Sequence, residues 1–124
     1  MKARPFFAAF ADAADGVWHA FVAQPNFRIQ LSLAVVAIGV AALLRFDARS
    51  WSVLVLAIGF VLAAELFNTC LEHVVDLVQP DAHPLARSAK HAGAAAVLVA
   101  SITAAVMGAI IYGQALAHVL AQRG

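Results

Sequence analysis

Three long apolar segments restrict the fold of this chain more than any other feature. They cover approximately residues 28–46, 51–78 and 92–118. Each supplies the ~20 residues that a helix needs to cross a bilayer. Because backbone polar groups in lipid must be satisfied within the segment, helices are predicted here rather than strands. The sequence therefore predicts an all-α integral membrane protein, with residues 1–124 forming a single domain around three transmembrane helices.

The composition supports a membrane environment. The 124 residues are 64% hydrophobic and only 12% charged, and a soluble domain of this size could not bury so much apolar surface. A net charge of +1 gives no reason to expect a nucleic-acid partner. Cys70 is the only cysteine, which excludes an intrachain disulfide, and we expect it to be buried as a small hydrophobic residue. The N-terminus does not resemble a signal peptide, because Asp12 and Asp15 interrupt its apolar part.

The segment before the first span has the pattern of an amphipathic helix lying on the membrane surface. Asp12, Asp15 and His19 alternate with apolar residues at helical spacing. We predict this surface helix over about 5–24, broken near Gly16 and ended by Pro25. The apolar residues are Phe6, Phe7, Phe10, Val17, Trp18, Phe21 and Val22.

The connections and the basic residues predict the topology. The short stretch 47–50 should join the first two spans as a hairpin, with Ser50 as the helix cap. The polar stretch 79–90, which contains two prolines, is predicted to be a longer turn. Basic residues favour the cytoplasmic side, which predicts that the N-terminal arm and the 79–90 segment face the cytoplasm. The supporting residues are Lys2, Arg4, Arg28, Arg87 and Lys90, and those opposing it are Arg45, Arg49 and Arg123.

The second span carries an acidic stripe. Glu65, Asn68, Glu72 and Asp76 share one helical face, while apolar residues occupy the others. A carboxylate at membrane depth costs ~2.5–3.5 kcal/mol on insertion scales, so such residues usually mark a functional site. Two structural readings stay open: Asp76 emerges into water at the helix end, and Asn68 joins helices through hydrogen bonds.

The stripe also offers ligands for a hard cation. Glu72 and Asp76 supply oxygens one helical turn apart, which suit Mg²⁺ shared with phosphate oxygens. Arg87 and Lys90 could reach the same end of the span, which suggests a phosphorylated ligand such as a nucleotide. The sequence contains neither a Walker motif nor a protein-kinase signature.

Three stretches resemble the small bacterial membrane kinases of the diacylglycerol kinase and undecaprenol kinase family. They are "ELFNTCLEHVVDL" at 65–77, "HPLARSAK" at 83–90 and "AGAAAVL" at 92–98, and "NFR" at 26–28 also fits. The family pattern reads approximately E-x-x-N-[ST]-A-[IL]-E-x-x-V-D, then H-P-L-A-K-x-A-K-D. The resemblance covers nearly the whole chain, and "NFR" and "HPLA" look more like the undecaprenol branch.

The resemblance implies a homotrimer that phosphorylates a membrane lipid alcohol, undecaprenol or diacylglycerol, with ATP and Mg²⁺. Active sites would lie between subunits at the cytoplasmic face of the inner membrane. By motif match, Glu65 would be the general base and Asn68 would orient the reacting centre. Glu72 and the residue at position 24 would bind the metal. The nucleotide site would include Asp76, His83, Arg87, Lys90 and His91.

Two positions depart from the family pattern. Gln24 replaces a metal-binding glutamate, and His91 replaces an aspartate, so both changes remove negative charge. They support an alternative in which the chain is a non-catalytic or weakly active relative that acts as a small membrane scaffold. A proton-coupled transporter is a further alternative, because intramembrane acids also mark ion paths. The small residues at 92–96 are expected to allow close packing of the third helix.

Overall fold

The computed structural model describes residues 5–122, which form four helices: α1 (Phe6–Ala23), α2 (Pro25–Leu43), α3 (Ala48–Val78) and α4 (Pro84–Ala121). Helices α2, α3 and α4 are long and apolar enough to cross a membrane. The predicted all-α class, with a leading helix and three spans, is confirmed. Lys2, Arg4 and Arg123, which entered the predicted orientation, lie outside the described residues.

Helix α1 is continuous, and the predicted break near Gly16 is wrong. The helix runs without interruption through 18 residues. A single glycine costs about 1 kcal/mol relative to alanine, and the alanines before it are the best helix formers. Its large apolar side chains are exposed, including Phe6, Phe7, Phe10 and Trp18. This exposure is what a helix lying on a bilayer requires.

A sharp elbow joins α1 to α2. Gln24 has extended backbone angles and ends one helix while preceding the next, and Pro25 occupies the first turn of α2. Arg28 holds the elbow, because its Nη1 donates to the carbonyl of Val22 at 2.8 Å and to that of Phe21 at 3.3 Å. Helix α2 therefore begins three residues before the predicted position 28, since proline is well suited to a first helical turn.

The turn between α2 and α3 is a Schellman motif. Arg45 adopts a left-handed conformation with φ of 54°, and the N–H groups of Arg45 and Phe46 donate to the carbonyls of Ala42 and Ala41. Asp47, not the predicted Ser50, caps α3, because its Oδ1 accepts from the Ser50 N–H at 2.9 Å. The side-chain and backbone hydrogen bonds from Ser50 lower the pKa of Asp47.

Helix α4 begins at Pro84, eight residues before the predicted start at 92. The connection is therefore only 79–83. The His83 ring caps the helix by accepting from the Leu85 N–H at 3.2 Å, and proline tolerates the first helical position. At 38 residues and about 1.5 Å per residue, α4 is longer than a bilayer core is thick. Arg87 and Lys90 thus lie on a helix rather than in a loop.

The buried core lies at the α2–α3 turn. Ala41, Phe46, Leu54 and Ile111 form one cluster, beside which the Tyr112 hydroxyl donates to the Ala37 carbonyl at 2.5 Å. Most large apolar side chains of the spans are exposed in the single chain. The core therefore fixes one end of the helical hairpins.

Two packing predictions need correction. Cys70 is exposed rather than buried in the single chain, because it lies away from the face that α3 presents to α2 and α4. Among residues 92–96, only Gly93 makes the predicted close approach, while the four alanines around it are exposed. The close approach therefore depends on a single glycine and not on the small-residue stretch as a whole.

Candidate active site

Glu65 lies in the interior of the helix bundle. Its side chain is only 3% exposed. Gln30 of α2 donates from Nε2 to Glu65 Oε2 at 3.1 Å. A buried carboxylate is costly unless hydrogen bonds stabilise it. The Gln30 amide thus anchors Glu65 to the neighbouring helix and fixes its orientation.

Asn68 and Glu72 form the next part of the stripe. Asn68 Nδ2 donates to Glu72 Oε1 at 3.1 Å, and the carbonyl oxygen Asn68 Oδ1 is buried without a donor. Gly93 of α4 lies directly against Asn68, where a β-carbon would overlap Oδ1. An unpaired buried acceptor is expensive, and Asn68 Oδ1 carries this cost where it lies against Gly93.

Asp76 lies at the exposed end of the stripe. Lys90 Nζ of α4 lies 2.5 Å from Asp76 Oδ1, and the two side chains are 36% and 59% exposed respectively. The stripe thus changes from buried at Glu65 to solvent-accessible at Asp76. This gradient would let a lipid-borne group and a water-borne group meet along one helix face.

An open pocket of about 710 Å³ lies between the end of α3 and the start of α4. Its lining includes all five residues predicted to bind nucleotide: Asp76, His83, Arg87, Lys90 and His91. Helix α4 makes this possible, because its first two turns present side chains at three- to four-residue spacing. The pocket combines two cationic side chains and two imidazoles with the carboxylates of Asp76 and Asp81, and its cations could bind a phosphorylated ligand.

No hydrogen bond among residues 5–122 joins the two predicted metal ligands, Gln24 and Glu72. Gln24 lies at the elbow and its side chain caps neither helix, whereas Glu72 is engaged by Asn68 on α3. Within residues 5–122, no group of three or more His, Cys, Asp or Glu residues could hold a metal ion. Any ion at Glu72 would therefore need ligands beyond these side chains.

Sequence reasoning missed Gln30 and did not single out Gly93. Gln30 is a polar residue within the first apolar segment, and an intramembrane polar side chain was a usable signal. Gly93 was predicted only as one of the small residues at 92–96 that allow close packing, and its contact with Asn68 was not predicted. Its role follows only from the approach of α4 to Asn68.

Comparison with known proteins identifies the family to which the chain belongs. The family model for prokaryotic diacylglycerol kinase matches residues 11–112. The chain belongs to the prokaryotic diacylglycerol kinase family. It is therefore a membrane lipid kinase, as the resemblance implied, and nothing in the comparisons favours the scaffold alternative.

Relatives in this family carry two names. The undecaprenol kinase of Bacillus subtilis (strain 168) is 34% identical over 107 residues, which are 86% of this chain and 87% of the relative. A diacylglycerol kinase from Synechocystis is 45% identical over 101 residues, which are 81% of this chain but 58% of the relative. A diacylglycerol kinase from Helicobacter pylori is 34% identical over 104 residues, with 82% and 81% covered.

Proposed function

We propose that this kinase transfers the γ-phosphoryl group of ATP to the hydroxyl of a membrane-dissolved alcohol, undecaprenol or diacylglycerol. The observation that carries the proposal is the graded stripe on α3, which runs from the buried Glu65 to the exposed Asp76. Such a stripe joins an apolar environment, where the alcohol dissolves, to water, where ATP dissolves. The site would lie at the cytoplasmic face of the inner membrane, because ATP is cytoplasmic.

Glu65 would act as the general base. Its carboxylate would accept the proton of the lipid hydroxyl as that oxygen bonds to the γ-phosphorus and the bond to the ADP oxygen breaks. Gln30 holds one carboxylate oxygen in place at 3.1 Å. Burial of Glu65 keeps bulk water from competing with the alcohol for the phosphoryl group. Phosphoryl transfer depends mainly on such positioning and on charge neutralisation.

A hard divalent cation fits the donor set at Glu72. The Glu72 carboxylate supplies a hard oxygen, while Asn68, one helical turn away, turns its Nδ2 rather than its oxygen toward Glu72. One carboxylate is too little to hold an ion alone, which agrees with the preference of Mg²⁺ for waters and substrate phosphates. When bound, Mg²⁺ would neutralise phosphate charge. Gln24 would add a neutral oxygen if the elbow approaches α3.

Lys90 would neutralise a phosphate in the pocket. It now pairs with Asp76, so an incoming triphosphate would compete with Asp76 for the ammonium group. Arg87 and His91 line the same pocket and would contact the remaining phosphates or the ribose. His83 is partly committed to capping α4, so its contribution would be to shape the pocket.

A homotrimer would complete the site. One chain leaves most large apolar side chains of its spans exposed, which is compatible with both lipid and subunit contacts. Mixing Glu65→Gln chains with Lys90→Ala chains tests whether sites combine residues from different subunits. Activity returning in mixed oligomers supports shared sites. Two inactive variants that remain inactive at every mixing ratio contradict them.

The test of the proposed reaction is product analysis. The purified chain in micelles, with ATP and Mg²⁺, is given undecaprenol or diacylglycerol, and lipid phosphate is identified by mass spectrometry. We expect a phosphorylated lipid with at least one alcohol, and the ratio of the two rates identifies the substrate. No lipid phosphate with either alcohol, from an intact helical protein, would contradict the proposal.

A further inference from the structure

Two histidines outside the proposed active site lie against each other across two helices. His19 is on α1 and His73 is on α3, and their ring centroids are 5.5 Å apart with an interplanar angle of 66°. Both side chains are exposed. His73 lies five residues before Val78, the end of α3, which is roughly 8 Å along the axis. The pair therefore connects the surface helix to the second span near the end of that span.

The separation matches two imidazoles on one metal ion. An imidazole nitrogen binds Zn²⁺ at about 2.0–2.1 Å, and a tetrahedral ion then places two ring centres roughly 5 Å apart. The observed 5.5 Å is close to this value. Both side chains are exposed, and binding one ion would require rotation about their side-chain bonds to turn one nitrogen of each ring toward it.

The chemistry of this pair differs from that of the proposed magnesium site. Imidazole nitrogens suit Zn²⁺, Ni²⁺ and Cu²⁺, whereas Mg²⁺ prefers oxygen. The carboxylates nearest to His73 on α3 already have partners: Glu72 accepts from Asn68, and Asp76 pairs with Lys90. No third ligand of the His, Cys, Asp or Glu type joins the pair among residues 5–122. Water would therefore complete the coordination.

We propose that His19 and His73 form a two-histidine site for a divalent transition-metal ion. The bound ion bridges α1 and α3 and fastens the surface helix to the second span. With only two protein ligands, the site binds more weakly than a structural zinc site, which has four. The proposal does not depend on the reaction proposed above, because metal binding at this pair requires neither ATP nor a lipid alcohol.

Titration calorimetry with Zn²⁺ tests the site directly. The full chain, without a histidine tag or nucleotide, is titrated in micelles beside His19→Gln, His73→Gln and the matched control His118→Gln. His118 is also exposed but lies near the end of α4, beside Gln122. We expect one ion per chain, and an affinity at least ~10-fold lower in either pair variant, since even loss of an outer-shell partner reaches that scale. The control should bind like the parent.

A second measurement locates the ion on the surface helix. Cu²⁺ quenches a nearby indole, and Trp18 directly precedes His19. We expect saturable quenching that is lost in Trp18→Phe and also in His73→Gln, where Trp18 itself is intact. Quenching that persists in His73→Gln would overturn the bridge. Zn²⁺ affinity that is unchanged in both pair variants, or lost in His118→Gln, would overturn the site.

Discussion

The substitution Glu65→Gln tests the proposed general base most specifically. Glutamine has the size of glutamate and keeps an oxygen that can accept from Gln30 Nε2, but it cannot take a proton from the lipid hydroxyl. General-base help is worth ~10²–10⁴-fold in rate, which corresponds to about 2.7–5.5 kcal/mol. Because Glu65 is 3% exposed, bulk water cannot replace the lost base. We therefore expect the loss to lie in this range.

The assay is the initial rate of lipid phosphate formation at saturating ATP and alcohol. We expect kcat to fall while the KM for ATP changes little, because Glu65 lies about three helical turns from the Asp76–Lys90 pair. Asp15→Asn, an exposed carboxylate on α1, is the matched control and should keep the parent rate. A Glu65→Gln rate within twofold of the parent, with helicity and oligomer size unchanged, would refute the base assignment.

Three further substitutions test other parts of the structure. Gly93→Ala places a β-carbon on Asn68 Oδ1 and should lower activity at least ~5-fold, since overpacking costs about 1–3 kcal/mol; Gly113→Ala, which has open space, should match the parent, and equal rates in both would contradict the contact. Gln24→Glu should lower the Mg²⁺ concentration needed for half-maximal rate, because a charged oxygen holds a hard cation better; superimposable titrations would exclude position 24 from the metal site. Arg45→Gly should raise the free energy of unfolding by about 1 kcal/mol, since the Arg45 backbone is in the left-handed region, which favours glycine. An unchanged or lower melting temperature would contradict this.

The number and type of helices followed from the sequence because membrane burial imposes a simple rule. Every apolar segment long enough to span became a helix, and the acidic stripe became a shared face. The helix ends followed less well. At Pro84 and Asp47, local hydrogen bonds to capping side chains decided the boundary, and hydropathy carries no information about them.

Only part of the candidate active site could be predicted from the sequence. Glu65, Asn68, Glu72 and Asp76 share a face because helical periodicity places them there. Their partners come from other helices: Gln30 from α2, and Gly93 and Lys90 from α4. These pairings depend on how the helices pack, which no periodicity within one segment encodes. The predicted closeness of Gln24 to Glu72 also depends on how the helices pack, and it stays a prediction.

The most direct measurement of the central claim follows the fate of the γ-phosphate. The parent chain in micelles, with Mg²⁺ and each lipid alcohol in turn, is given ATP labelled at either the γ- or the α-phosphorus. The lipid is then extracted into organic solvent and counted. The account predicts γ-label in the lipid phase with at least one alcohol, α-label only in water, and a γ-signal reduced by at least ~10²-fold in Glu65→Gln. Absence of γ-label from the lipid phase with both alcohols would contradict it.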